Sequence, residues 1–214
     1  MKVQKNIYKC AVCGTENEFL DYMSNFVKGY SDFDMKPVGS MMGIGANIME
    51  CPNCHYSNYK INNTIEPRLA DNLELWNRDF QEIIKNYSGV LRKILLVAKQ
   101  YENNMEYFNA YKSYIMASWV CDKKNASDFR IKACQMFAEK ILPNYNDNLL
   151  QFADMLRMEG DFDNATKVFN AVKELTDESN AKLIKIINAE IVFIQEKDMN
   201  RHNLSEVFVE KKEI

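Results

Sequence analysis

Four of the six cysteines in this chain fall into two Cys-x-x-Cys pairs, Cys10-Ala11-Val12-Cys13 and Cys51-Pro52-Asn53-Cys54. Two residues between thiols is the spacing of a knuckle, a tight turn that aims both sulfurs at one point while backbone amides donate to them. Gly14 follows the first pair directly, at a position that commonly takes positive φ. Two such turns supply four thiolates, enough to close a tetrahedral shell around one Zn2+ with no position left for water. A closed shell folds a domain and performs no hydrolysis. One pair alone would also read as a redox dithiol, but unrelated core cysteines have no reason to fall into two pairs. The expected metal ligands are therefore Cys10, Cys13, Cys51 and Cys54, with zinc as the expected ion and iron as the alternative that four sulfurs accommodate equally.

Other reactive side chains are few. His55 stands after the second pair where a glycine would be expected, and four sulfurs leave it no place as a fifth ligand, so a supporting or surface role is expected. His202 lies in a polar stretch and is expected to be inert. Between the pairs, Asp32-Phe33-Asp34-Met35-Lys36-Pro37 leads to Met41-Met42-Gly43-Ile44-Gly45. Those glycines lack the Gly-Lys-Ser/Thr ending of a phosphate loop, so a hairpin connection with a Met-rich tip is expected. Cys121 and Cys134 have no ligand spacing and read as packing residues on apolar helix faces. No histidine stands near a Ser, Cys or carboxylate constellation that would suggest a triad or a metal-bound water, so no catalytic residue is expected.

The elements that must position the cysteines change along the chain. Strand, turn and ligand signals all lie before residue 66, with Gly39, Gly43 and Gly45 clustered there. Beyond it, apolar residues recur three and four apart, the helical period. Helices are expected over 68–87, with Pro67 in the first turn, and over 90–101. A hairpin of helices over 105–122 and 127–142, stopped by Pro143, precedes a second hairpin over 148–158 and 162–175, turning through Glu159, Gly160 and Asp161. A last helix is expected over 177–195, followed by a fraying tail. The resulting fold class is α+β, mostly α. It comprises a small β-rich four-cysteine module at 1–65, an all-helical domain at 66–200 and a polar tail at 201–214.

Charge narrows the partners. The net charge is -3, and residues 1–66 carry six Lys and no Arg against seven acids, so nothing concentrates the basic side chains that phosphate neutralisation needs. Nucleic acid is thus a disfavoured partner. No stretch is long and apolar enough to span a bilayer, and the start lacks a signal-peptide core. A cytoplasmic location is expected, where paired cysteines more often bind metal than form disulfides.

The hairpin at 148–175 resembles a tetratricopeptide repeat (TPR), with Leu149, Phe152, Ala153, Leu156, Gly160, Ala165, Phe169 and Val172 on that motif's apolar and small positions. Asp177 stands where the motif ends on Pro. The preceding hairpin matches in Ala133 and Phe137 but has Lys124 where an apolar residue belongs. The four-cysteine module is zinc-ribbon-like or rubredoxin-like. With Asp34-Met35-Lys36-Pro37, Met49 to Tyr56 and Ala117-Ser118-Trp119-Val120 added, the chain resembles a bacterial family catalogued as domain of unknown function 2225, over most of residues 8–200. His55 departs from that family's usual Gly, and Asp, Met and Lys stand where it tends to carry Arg. The resemblance implies an architecture and no activity. The expected function is a non-enzymatic zinc-binding adaptor or scaffold whose TPR-like helices hold a protein or peptide, or a second copy of the chain. The alternatives are a rubredoxin-like iron electron carrier, a zinc-thiolate redox sensor and a zinc-ribbon nucleic-acid binder.

Overall fold

The computed structural model describes residues 2–22, 29–39, 43–63, 73–142 and 148–209, without the side chains of 73–77 and 79. The expected boundary at 65 and 66, Pro67, the Met41-Met42 tip, Pro143 and the end of the tail lie outside the described residues. Among those described, helices dominate, beside two small two-stranded antiparallel sheets, an α+β arrangement weighted to α. The chain forms two compact units: Met1–Phe26 with Ser40–Ile141, and Val27–Gly39 with Leu142–Ile214.

In the first unit, β1 (Val3–Lys9) pairs with β2 (Glu16–Tyr22) in a register that sets Val3 opposite Tyr22 and Lys9 opposite Glu16. Period-2 alternation turns Asn6, Tyr8, Asn17, Phe19 and Asp21 to the half-buried face, where the Tyr8 and Phe19 rings lie 6.4 Å apart. A second, minimal hairpin joins β3 (Met49–Glu50) to β4 (Ser57–Asn58).

Helices α1 (Leu73–Asn86) and α2 (Gly89–Asn103) meet at Gly89, whose φ of +59° suits the turn. Helix α3 (Tyr107–Val120) is buried along Ala110, Tyr111, Tyr114, Ile115 and Ala117. Its buried hydroxyls bond inside the helix, Ser113 to Asn109 O at 2.8 Å and Ser118 to Ile115 O at 2.7 Å. Helix α4 (Lys123–Met136) begins four residues earlier than the apolar period suggests. Asp122 caps it, accepting from the Asn125 amide at 3.0 Å. It continues as a π-turn over Phe137–Ile141.

The second unit holds α5 (Leu149–Met158), α6 (Phe162–Leu175), α7 (Ala181–Gln195) and the short α8 (Ser205–Phe208). Ala153 and Ala165 are fully buried, with Phe169 beside them in the core. Helix α7 starts later than expected because Asn180 caps it through the Leu183 amide, while Asp177 accepts from Ser179 in the preceding turn.

Two stretches behave differently from their sequence reading. Residues 32–37, expected to connect the knuckles within the metal module, belong to the second unit. The stretch after 200, expected to fray, is bonded to them. The Phe33 amide donates to His202 O at 3.0 Å, the Leu204 amide to Ser31 O at 3.0 Å, and Arg201 meets the buried Asp34 carboxylate at 2.9 Å. His202 is not inert: its ring stacks on Phe193 at 3.8 Å, and its nitrogens face Glu206 and Asp198 at 2.9 and 3.0 Å. No helix among the described residues is long and apolar enough to cross a membrane.

Candidate metal centre

Each cysteine pair occupies the turn of one hairpin. Leaving β1, the Cys10 amide donates to Thr15 O at 2.9 Å and the Gly14 amide returns to Cys10 O at 2.9 Å. The second turn repeats the pattern: the Cys51 amide donates to Tyr56 O at 2.8 Å, and the His55 amide to Cys51 O at 2.9 Å. Gly14 and His55 are thus equivalent, four residues after the first cysteine of their pair, and both are left-handed, at φ +73° and +60°. A knuckle needs this conformation to bring its second thiol round, and a side chain there costs roughly 1 kcal/mol in steric strain.

The two turns place the Sγ atoms of Cys10, Cys13, Cys51 and Cys54 all within 4.8 Å of one another. Across the turns, Cys10 and Cys54 lie 3.7 Å apart and Cys13 and Cys51 3.6 Å. A tetrahedron with metal–sulfur bonds of about 2.3 Å has sulfur–sulfur edges of about 3.8 Å, so these spacings fit a four-thiolate shell. Cys10 and Cys51 are buried, while Cys13 and Cys54 sit nearer solvent. Cys134 on α4 is buried, as a packing residue would be, whereas Cys121 caps the end of α3 and is only partly buried; both stand outside the group.

Burial and mutual proximity set the acidity of the thiols. Burial raises the Cys10 thiol, against backbone amides of Cys13 and Val12 that would stabilise its thiolate. Burial also raises Cys54 strongly, and the neighbouring sulfurs of Cys13 and Cys10 add to it while the Tyr56 amide opposes. For Cys13, burial is outweighed by donors from the Thr15 and Asn53 side chains and the Thr15 amide, which bring it down to about 6. Four thiolates this close repel unless positive charge lies among them, and binding a dication releases their protons.

The support behind the ligands is the part the sequence did not reveal. Glu50, just before Cys51, accepts from the His55 ring at 2.8 Å and from Arg92 on α2 at 3.3 Å, with its side chain 7 % exposed. Four positions beyond Leu96 on the same helix, the buried Gln100 donates to Ser57 O at 2.7 Å. Cys10, Met49, Cys51, Tyr56, Ile61, Phe80 and Leu96 form one core cluster, so the knuckles and the helices α1 and α2 share a hydrophobic centre. Gly45 completes the fit: a Cβ on it would stand 2.9 Å from Ile94 Cδ1 and Val90 Cγ2. The only sequence hint was His55 in a glycine's place; Arg92 and Gln100 carry no motif.

No protein-family model, curated protein or solved structure matches this chain, so the reading of the site rests on its residues.

Proposed function

We propose that the chain is a non-enzymatic, metal-dependent interaction protein, in which Cys10, Cys13, Cys51 and Cys54 hold one Zn2+ as a structural centre and the helices hold a protein or peptide partner. The convergence of four sulfurs from two hairpin turns carries this reading. A bound dication would supply charge compensation and cross-link the two turns; the residues supply the rest, the amides steadying the thiolates and Glu50 tying the second turn to Arg92. With all four positions taken by sulfur, the centre offers nothing for substrate to coordinate.

The partner-holding role is supported by the second unit. Close approach of α5 and α6 through Ala153 and Ala165 is what a TPR-like hairpin requires. An apolar cavity of about 470 Å³ opens beside them, lined by Phe33, Leu149, Phe169, Val172, Leu183 and Ile186. That volume lies in the range of sites that accept a buried side chain or small ligand. The kinship with the family of domain of unknown function 2225 remains part of this proposal.

Elemental analysis of purified chain tests the metal half: one zinc per chain, colourless, is expected, while one iron with visible absorption would replace zinc by the rubredoxin-like electron carrier. Affinity capture by the wild-type chain and by Leu183→Asp tests the other half. A protein retained by the first and lost by the second, at equal metal content, supports partner binding at the cavity; retention by both contradicts it.

A further inference from the structure

We propose that one proton shared between the buried carboxyl groups of Asp154 and Glu190 is a structural component of the second unit, and that its loss loosens the seating of residues 201–204 on residues 31–34. The geometry is built around Arg157, whose side chain is entirely buried. Its Nε donates to Glu190 Oε2 at 2.8 Å and its Nη2 to Asp154 Oδ1 at 2.5 Å. Its Nη1 donates to the carbonyls of Asp198 at 2.6 Å and Asn200 at 3.0 Å. One oxygen of each carboxyl is thereby satisfied. The other two, Asp154 Oδ2 and Glu190 Oε1, are buried with no donor among the described residues.

Two deficits coincide. Buried acceptors without donors are costly, and one guanidinium balances only one of two buried carboxylates. Among the described residues, no neighbour supplies the missing cation. Arg201 is engaged by Asp34 at 2.9 Å, and the buried Asp34 adds repulsion toward Asp154. Beyond the Phe193 ring, His202 is held between Asp198 and Glu206. A single proton answers both deficits: it neutralises one of two carboxyls held side by side on the same guanidinium, Glu190 at Nε and Asp154 at Nη2, and it turns an orphaned acceptor into a donor.

Burial, then the Asp154 charge, push Glu190 up to about 9, against the pull of Arg157. The pair therefore keeps in the folded chain one proton that both carboxyls give up in the unfolded chain. Because the folded state binds the extra proton, this stability is complete below pH 4.5, declines as pH rises, and is gone above about 9. Without the proton, Arg157 faces excess negative charge on one side while its other edge anchors the carbonyls of Asp198 and Asn200. Those carbonyls lie within three residues of Arg201, where the segment bonded to Ser31, Phe33 and Asp34 begins, so strain on the guanidinium passes to that seating.

The test is thermal unfolding of the full chain between about pH 5 and pH 10, wild type against Glu190→Gln, whose amide can donate to Asp154 without titrating. Between pH 4.5 and about 9, the folding constant of the wild type should fall relative to that of the variant as pH rises, by up to about tenfold per pH unit, the limit for one proton. Parallel curves overturn the proposal. Should the variant not fold, infrared spectra of the unaltered chain decide. A protonated carboxylic C=O band at neutral pH that disappears above about pH 9 is expected, and its absence at neutral pH overturns the shared proton. Hydrogen exchange at the Phe33 and Leu204 amides tests the loosening: protection should fall with pH in the wild type beyond the fall in global stability, and protection that tracks global stability alone overturns that part.

Discussion

At the residue scale, the cysteines and the single histidine beside them carry the account. Replacing Cys51 by Ser removes a buried thiolate from the group and should abolish stoichiometric metal, whereas Cys121→Ser should leave metal content unchanged, both read by elemental analysis. His55 permits a sharper comparison, because its ring and its backbone do different things. The ring holds Glu50, and the backbone sits at φ +60°. His55→Gly and His55→Ala both lose the ring, but only alanine keeps the left-handed strain. His55→Ala should therefore be less stable than His55→Gly by about 1 kcal/mol in chemical denaturation of the metal-loaded chain. The cysteines were legible in the sequence because ligand spacing is written locally, within four residues. Glu50 and Arg92 were not, because a carboxylate and a guanidinium 42 positions apart look like any two solvated charges until the fold brings them together.

At the scale of elements, the four-cysteine hairpins are fastened to α2 by a charge bridge and by close packing. Arg92→Met leaves the Glu50 carboxylate, 7 % exposed, with His55 alone. A loss of about 1–3 kcal/mol is expected, below that of a fully buried pair because Arg92 keeps some solvent. Two glycines gauge the packing. An alanine at Gly45 meets Ile94 and Val90 at 2.9 Å in a left-handed backbone, while one at Gly160 meets only the flexible Met199 side chain at 3.5 Å. Gly160→Ala should cost about 1 kcal/mol and Gly45→Ala clearly more, as denaturant midpoints will show. The existence of α1 to α7 was legible because the 3.6-residue period survives in their apolar residues, whereas α8 falls in the polar stretch expected to fray. The starts of α4 and α7 were less so, since the caps Asp122 and Asn180 reach outside the apolar pattern that marks the helix body.

For the whole molecule, the division into units shows where local reading ends. Residues 29–39 lie between the two cysteine pairs in sequence, yet Asp34 answers Arg201 across 167 positions and Gln151 donates to Asp34 O at 2.6 Å. No short-range pattern encodes a partner that distant. Within the first unit, the cysteines share a core with Phe80 and Leu96, so the ion and the helices should fold together. Chelation is expected to lower amide protection in α2 as well as in the hairpins, because binding free energy at such a centre is folding free energy. The claim on which all of this depends is that four sulfurs enclose one ion, and X-ray absorption at the metal edge reads it directly. A zinc edge with four sulfur scatterers at about 2.3 Å is the expected spectrum; nitrogen or oxygen in the shell, fewer than four sulfurs, or no bound metal would contradict it.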